Sequence, residues 1–562
     1  MNLANLGKAG LLVAQNRLQT AGHNINNAAT PGYNRQSVLV QTAGATATSA
    51  GWIGRGVVAV SVQRSYDNFL YQQLSDSQTK SAALTSYGDQ ISQINNLVAD
   101  RTVGISPAIQ KFFDSLDAVA SSPADVAARQ DLIGQANSLA SQVRDANAFL
   151  DSQRQNINTQ ITTTVSQINS YLTRIQGLNK QITVAKASTP NQPPNDLLDQ
   201  RDQLVSELGQ LVNVKVYNQD DQVSITVGNG QTVLGGNTVY PLQAQPSAAD
   251  PSRLSISYTT TDTSGQPKAV EMSDSMITGG KLGGLLTFRS DALDSVQNDL
   301  GRVALGISVA INDQHAKGYD MAGAPGTDLF SVGTPKVIDN AGNSATAGAP
   351  AASYTPGKLS QITSQDYRVQ YAGPGATDYT VTRLPDGTAV SATVSGTTLS
   401  FDGVTLNTAG MAPAAGDSWL VQPTRDAAAG MNVLISAPDK IAAAGETAAG
   451  SGVGAGPANG DNALALAALR TAKVLANGSM GMNEAYSQLV NNVAVKAGQN
   501  TTAQKAQDTL VQQNTAAQQA VSGVNLDEEY INLQQYQEQY QAAARLISTA
   551  STLFDTLLSL RG

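Results

Sequence analysis

Apolar positions recur along this chain with two periods, and the change between them separates helical ends from β-rich parts in the middle. In the first thirty residues a seam at three- and four-residue spacing runs Ala4, Gly7, Leu11, Ala14, Leu18, Ala21, Ile25, Ala28. It predicts a helix whose contact face is mostly small, so that a partner helix approaches closely. The helix ends in "NINNAATPGY", where Pro31 and Gly32 fit the second and third positions of a type II turn. Gly, Ser and Thr then dominate to about residue 56.

Long helices follow. Leu84, Tyr87, Ile91, Ile94 and Val98 hold one heptad seam, broken at 104–107 and again at 121–123. A second seam runs Leu139, Val143, Ala146, Leu150, Gln153, Ile157 and continues through Ile161, Val165, Ile168, Leu172, Ile175, Leu178 and Ile182. A helix over 129–186 would be roughly 85 Å long at 1.5 Å per residue, a length typical of rod-like bundles. "STPNQPP" stops it, and "NDLLDQRDQLVSELGQLV" predicts a shorter helix capped by Asn195 or Asp196.

The period then falls to two. Val212, Val214 and Val216, then Val223, Ile225 and Val227, alternate with polar residues across turns and predict antiparallel strands. Helix returns over about 286–315. A Gly/Ala/Pro-rich stretch to about 357 precedes a second β-rich block containing Tyr367, Val369, Tyr371, Tyr379, Val381, Val390, Val394, Leu399 and Phe401, punctuated by "GPG", "PDG" and "FDG". "GETAAGSGVGAGPANG" reads as a linker. Helix resumes at 462 and, from 483, runs nearly to 521.

The last helix carries two adjoining stripes. One is Tyr536, Ala543, Leu546, Ala550, Leu553, Leu557 and Leu560; the other is Leu526, Tyr530, Leu533, Tyr540, Ala544, Ile547, Phe554 and Leu558. The expected fold is mainly α, a long helical-bundle or coiled-coil rod formed by the N- and C-terminal halves, with antiparallel β outer domains inserted. The expected division is 1–56 with 522–562 as a terminal helical unit; 57–211 with 286–317 and 462–521 as the long-helix bundle; 212–285 as a β-rich segment; 318–441 as β-rich outer structure; and 442–461 as linker.

A broad apolar face on two lone helices does not offset the backbone entropy of ordering them, so the ends are expected to be disordered in the free chain and to act as assembly elements. Charge points the same way. Residues 1–66 hold Lys8, Arg17, Arg35, Arg55 and Arg64 and no acid, whereas 506–562 hold six acids against Arg545 and Arg561, giving ends of +5 and −4 that favour pairing.

Composition removes most chemistry. Charged residues are 14% of the chain and the net charge is −9, which argues against a nucleic-acid partner. There is no apolar run of transmembrane length. The run from Ala9 to Ala14 is too short for a cleaved signal. With no cysteine, and with His23 and His315 as the only histidines, cysteine-zinc and HExxH sites are impossible. His23 sits at a helix end, where a structural hydrogen bond fits better than general-base work. "GAGPANG" is not a phosphate-binding turn, and Asp320 to Asp328 lacks EF-hand spacing. No catalytic, metal or cofactor site is expected.

"NINNAATPGYNRQ" resembles the N-terminal signature of the flagellar rod, hook and hook-associated axial proteins, with Asn24, Asn27, Thr30, Pro31, Gly32, Tyr33 and Arg35 carrying the match. "SGVNLDEEYINLQQYQEQYQAAARLISTASTLFDTLLSL" resembles the same family's closing helix. Within the family, "NDLLDQRDQLVSELGQLVNVKV", "TGGKLGGLLTFRSDALDSVQNDLGRVALGISVAINDQHAKGYD" and "GDSWLVQPTRDAAAGMNVLISAPDKIAAA" are similar to members at the hook–filament junction.

The resemblance implies a non-enzymatic adaptor forming a ring at the distal end of the hook. It also implies export, without a cleaved signal, through the flagellar type III apparatus to the extracellular flagellum. Expected partners are further copies of the chain, hook protein, hook-associated protein 3, the export apparatus and a cytoplasmic chaperone on the C-terminal helix, with no nucleic acid and no membrane insertion. The N-terminal assembly seam and turn would comprise Leu11, Leu18, Asn24, Ile25, Asn27, Thr30, Pro31, Gly32 and Tyr33. The C-terminal assembly and chaperone face would comprise Leu526, Tyr530, Leu533, Tyr536, Tyr540, Leu546, Ile547, Leu553, Phe554 and Leu557. The alternatives are another axial component, hook protein or hook-associated protein 3, and a secreted coiled-coil adhesin.

Overall fold

A computed structural model of the chain describes residues 3–560 apart from 50, 99–103, 191, 220–221, 262–263, 374 and 376–377. Asn191 of the proline-rich stop, the Asp220-Asp221 turn, Pro374 of "GPG" and Arg561 therefore lie outside the described residues. The chain leaves α1 (Leu3–Asn27) and forms a long hairpin. Its strands are β1 (Gln36–Thr42), β2 (Ala45–Thr48), β3 (Gly51–Gly54) and β4 (Val57–Arg64), with β1 paired to β4 and β2 to β3, both antiparallel. This hairpin crosses residue 56, where the first unit was expected to end. Val58, Val60 and Val62 recur at every second residue of β4, with Val38 of β1 opposite Val62, a short period-two signal obscured by the Thr/Gly/Ala tip.

The helical body consists of α2 (Asn68–Val98), α3 (Ile105–Ser121), α4 (Val126–Ser188), α5 (Asn195–Leu211), α6 (Gly280–Phe288), α7 (Asp294–His315), α8 (Asp461–Ala468) and α9 (Met482–Ser522). The expected rod helix is present as α4, 63 residues long, with its first turn closed by the Asp125 carboxylate accepting from the Ala127 amide. Ile157, Ile161, Ile168, Leu172, Ile175 and Ile182 are all fully buried. Such burial is worth about 1.5–3 kcal/mol for each large aliphatic side chain.

α5 is not capped by its own first residues. Pro194 takes the cap position, and the Asn195 side chain instead donates to the Val62 carbonyl (2.9 Å) of the hairpin. The helix expected from 286 starts six residues earlier, so part of 212–285 is helical. The signal was hidden by glycines: Gly279 and Gly280 have positive φ, and Gly284 lets the Ala83 carbonyl approach to 2.3 Å from where a Cβ would stand. A π-turn at Arg289–Leu293 joins α6 to α7.

The segment after α5 makes two antiparallel sheets. One is a four-stranded meander of Val214–Gln219, Gln222–Val227, Gln231–Gly235 and Thr238–Val239; the other joins Leu242–Pro246, Leu254–Thr261 and Pro267–Met272. α4 holds them with asparagines on one side. Asn158 brackets Leu254 N and Ser252 O, Asn169 brackets both backbone groups of Leu242, and Asn179 brackets those of Val223.

The outer part, 336–422, is two antiparallel sheets around one core. Five strands contribute Tyr367, Val369, Val381, Trp419 and Val421, and four contribute Leu399, Phe401, Val404 and Leu406. Its root is a buried charge network. Asp294 of α7 meets Arg154 of α4 (2.8 Å), Arg425 (3.0 Å) and Arg253, while Arg425 also pairs with Asp366. Burial alone would raise the Asp294 pKa, but Arg253, Arg425 and Arg154 hold it well below the carboxylate range.

The expected linker at 442–461 begins as packed structure and continues as a mostly exposed loop. Ala442, Ala443 and Ala444 are buried, Tyr319 bridges to Ala444, and Glu446 bridges to Gly454. Small residues read as low complexity here because they fit beneath His315. That histidine's Nδ1 donates to the Thr327 carbonyl (2.6 Å) and its Nε2 accepts from the Ala442 amide (2.8 Å).

Candidate assembly surface

α10 (Leu526–Ser559) lies antiparallel along α1. Close approach depends on the small seam. A Cβ on Gly7 would stand 2.8 Å from Ile547 Cγ1 and 3.1 Å from the Ala543 carbonyl. Ala14 and Ala21 are buried on one helix, Ala543 and Ala550 on the other. Farther along, the Arg17 guanidinium lies 5.3 Å from the Tyr536 ring centroid and donates to Gln539 Oε1 (3.2 Å).

The Thr-Pro-Gly-Tyr segment is a type II turn. The Tyr33 amide donates to the Thr30 carbonyl (3.2 Å), and Gly32 has φ +78°. Gly32 also abuts Gln203 of α5, 2.8 Å from where a Cβ would be. The turn folds back so that Asn24 forms four hydrogen bonds. Its Nδ2 donates to the Gln36 carbonyl (2.9 Å) and Glu529 Oε2 (3.1 Å), and its Oδ1 accepts from the Tyr33 hydroxyl (2.7 Å) and the Gln36 amide (2.9 Å). Burial first, then Asp196, Asp199 and Glu529, pushes the Tyr33 hydroxyl pKa far up and keeps it a donor. Asn27 braces the turn at Thr30 Oγ1 (3.2 Å) and the His23 carbonyl (3.0 Å).

Three acids of α5 complete this clamp. Asp199 accepts from the Asn34 amide (2.9 Å), from Asn34 Nδ2 (2.6 Å) and from Arg64 Nη1 (2.7 Å). Asp202 shares Arg64 at 2.7 Å, and Asp196 accepts from Gln36 Nε2 (2.8 Å) and faces His23 Nε2 at 3.2 Å. On the other side Arg35 reaches Glu529 (2.7 Å) and Glu528 (3.1 Å), so the oppositely charged ends do meet. Arg64 pairs with α5 instead.

The expected seam residues divide. Asn24 is buried; Leu11, Leu18, Ile25, Asn27 and Tyr33 are half-buried; Thr30, Pro31 and Gly32 are exposed. On α10, Leu533, Tyr536 and Ile547 are half-buried, whereas Leu526, Tyr530, Tyr540, Leu546, Leu553, Phe554 and Leu557 are exposed, Leu557 at 66%. The single broad face expected from the sequence is therefore split into a small-residue strip against α1 and a row of larger apolar side chains facing outward. Asn34, Gln36, Asp199 and Asp202 carry no expectation from the sequence, and Arg64, Asp196 and Glu529 enter there only as charges or as a helix cap. The i, i+3, i+6 spacing of the three aspartates on α5, in a chain whose first 66 residues carry only positive charge, was the available signal.

Residues 91–330 match the model described as the flagellar hook-associated protein FlgK helical domain, and 338–423 match that of the flagellar hook-associated protein 1 D2-like domain. Over 562 residues, covering all of both chains, the sequence is 40% identical to flagellar hook-associated protein 1 of Salmonella typhimurium. The chain belongs to the flagellar hook-associated protein 1 family. The family's Escherichia coli member is 38% identical over the same full span. The solved structure of the flagellar hook junction protein FlgK from Burkholderia pseudomallei superposes with a TM-score of 0.73 at 31% identity, covering 80% of this chain and all of that one.

Membership of the hook-associated protein 1 family makes the chain a structural component of the flagellum. Residues 517–560 also match the flagellar basal body rod FlgEFG protein C-terminal model. α10 is thus similar to the C-terminal part of rod proteins, while 338–423 matches a hook-associated protein 1 model.

Proposed function

We propose that the chain joins the distal end of the hook to the filament as a ring of identical subunits. The outward row Leu526, Tyr530, Tyr540, Leu546, Leu553, Phe554 and Leu557 forms the seam between neighbours. That row carries the proposal. The outer β part has a closed core and none of the molecule's large exposed apolar side chains among its described residues, whereas the terminal helices hold many of them. Hook protein lies on one side of the ring and hook-associated protein 3 on the other. Before assembly the terminal helices are disordered, and a cytoplasmic chaperone covers the α10 row. The chain passes unfolded through the flagellar export apparatus, a route compatible with the absence of cysteine. The outer β part tiles the surface.

The test is electron microscopy of isolated hooks incubated with the purified protein and a gold-labelled antibody. Label confined to the distal tip is expected. Label along the whole shaft would favour a hook-protein role, and decoration of unrelated surfaces without hook binding would favour an adhesin.

A further inference from the structure

The N-terminal hairpin ends in a ribbon that its own chain leaves uncovered. Every residue of β2 and β3 is exposed. A two-stranded hairpin is marginal in water unless it packs on something. Yet this one carries apolar bulk. Trp52, opposite Ala47 and 77% exposed, stands on one face, and Ile53, opposite Thr46, on the other. The other tryptophan, Trp419, is buried in the outer core. Charge is also left over at the tip. Arg35 and Arg64 at the base of the hairpin are taken up by Glu528, Glu529, Asp199 and Asp202, whereas Arg55 pairs with no acid among the described residues.

α10 is uncovered at the same end of the molecule. Gly7 of α1 abuts Ile547, Ala550 is the last buried residue, and all of 551–560 is exposed, so α10 runs on past the start of α1. This overhang carries Leu553, Phe554, Leu557, Leu558 and Leu560, with Asp555 as its one charge. The hairpin reaches that end too. A Cβ on Gly56 would lie 3.6 Å from Ala9 Cβ and 3.7 Å from Leu6 Cδ1, only a few residues from Trp52. The two use different faces of α1: α10 lies on Gly7 and Gly10, the hairpin on Leu6 and Ala9.

A patch that packs on its own counterpart closes at two copies, whereas a larger ring needs two different patches that meet head to tail. The α10 overhang supplies one. We infer that the hairpin tip supplies the other: Trp52 of one copy seats on Phe554, Leu557 and Leu558 of the next, and Arg55 faces Asp555. The occupant is a second copy of this chain because the two surfaces complement each other in charge, match in apolar bulk and lie at one level along the paired helices. Rotation about an axis along those helices brings them together. The inference rests on the ring reading and adds what covers the end of the α10 row. The contact forms on assembly, when the terminal helices order.

The chain has no cysteine, so single thiols report the contact directly. Ala47→Cys, beside Trp52, is made in one full-length chain, and Ser551→Cys and Leu557→Cys in two others. Isolated hooks are capped with each variant alone and with Ala47→Cys mixed with either α10 variant. They are then treated with a short bismaleimide and blotted for the protein. The mixtures are expected to give a crosslinked dimer that no variant gives alone. A dimer from an α10 variant alone, with none added by mixing, means that the row packs on itself and overturns the inference. Capped hooks with no mixed dimer at either α10 position overturn it equally, and leave the junction reading standing. Native protein that leaves hooks uncapped overturns the junction reading, and this inference with it. Trp52→Ser gives a readout free of crosslinking. Its urea midpoint should match that of the native chain, because the side chain is exposed, while capping falls about tenfold or more, as for a tryptophan anchor. Normal capping by that variant removes the anchor and overturns the proposal.

Discussion

Along α4 the seam from Leu132 to Ile182 is mostly aliphatic, and it runs against helices on one stretch and sheets on another. Along α1 and α10 the shared seam is glycine and alanine, and the anchoring falls to hydrogen bonds around Asn24 and Asp199. The two regions use the same element for different ends. Aliphatic burial is strong and non-directional, so the rod tolerates change that preserves volume. The polar clamp contributes less but is directional: it fixes where the terminal helices start while leaving their large side chains uncommitted. Stability is concentrated in the first region and geometry in the second.

The comparison breaks most sharply if a charge enters the rod. Ile168→Asp buries an unpaired carboxylate and should cost on the order of 4 kcal/mol or more, read as a lowered urea midpoint with α4 protection lost. Asp199→Ala should cost about 3 kcal/mol locally, because it strands Asn34 and leaves Arg64 to Asp202 alone. Hydrogen exchange should rise over 28–64 while α4 remains protected. Equal loosening of α4 would mean that clamp and rod are one cooperative unit.

A smaller effect depends on pH. Burial depresses the His315 pKa, with the Thr327 carbonyl opposing it only in part, so the folded chain keeps a neutral imidazole. The contribution is fully present above the ordinary histidine value of about 6.5 and is lost as pH falls below it, because the unfolded chain takes up a proton there first. Urea midpoints of the native chain should fall from pH 7 to pH 5 more steeply than those of His315→Gln. The smallest effect on folding belongs to the outward row. Leu557→Asp should change stability by no more than about 0.5 kcal/mol and still abolish hook capping. A folded variant that caps hooks normally would remove that row from the seam.

Long heptads made α4 legible in the sequence, since about fourteen turns of repeated aliphatic spacing outweigh any local ambiguity. The same rule hid the clamp. Asn34 lies in the loop before β1, Arg64 on β4 and Asp199 on α5, and only the tertiary fold brings them together. The hairpin tip fell below recognition because Thr, Ala and Gly carry little alternation. At 442–444 the alanines looked like spacer, yet a tight site beneath an imidazole requires small residues. The asparagines of α4 had no periodic signature, as their partners are backbone groups of strands far along the chain.

The outer part leaves and rejoins the body through a narrow neck. Phe330 bridges Val433, the Ser331 amide donates to the Asn432 carbonyl (2.8 Å), and the Leu434 amide donates to the Leu329 carbonyl (2.9 Å). About a hundred residues thus hang between two neighbouring backbone points, the arrangement in which an insertion is best tolerated. Such a graft is an exchangeable cassette. Its size and outward surface are free to diverge between lineages, or to be rewritten by an engineer, provided Asp366 and Arg425 keep their seats beside Asp294 and Ile362 its packing on Leu305.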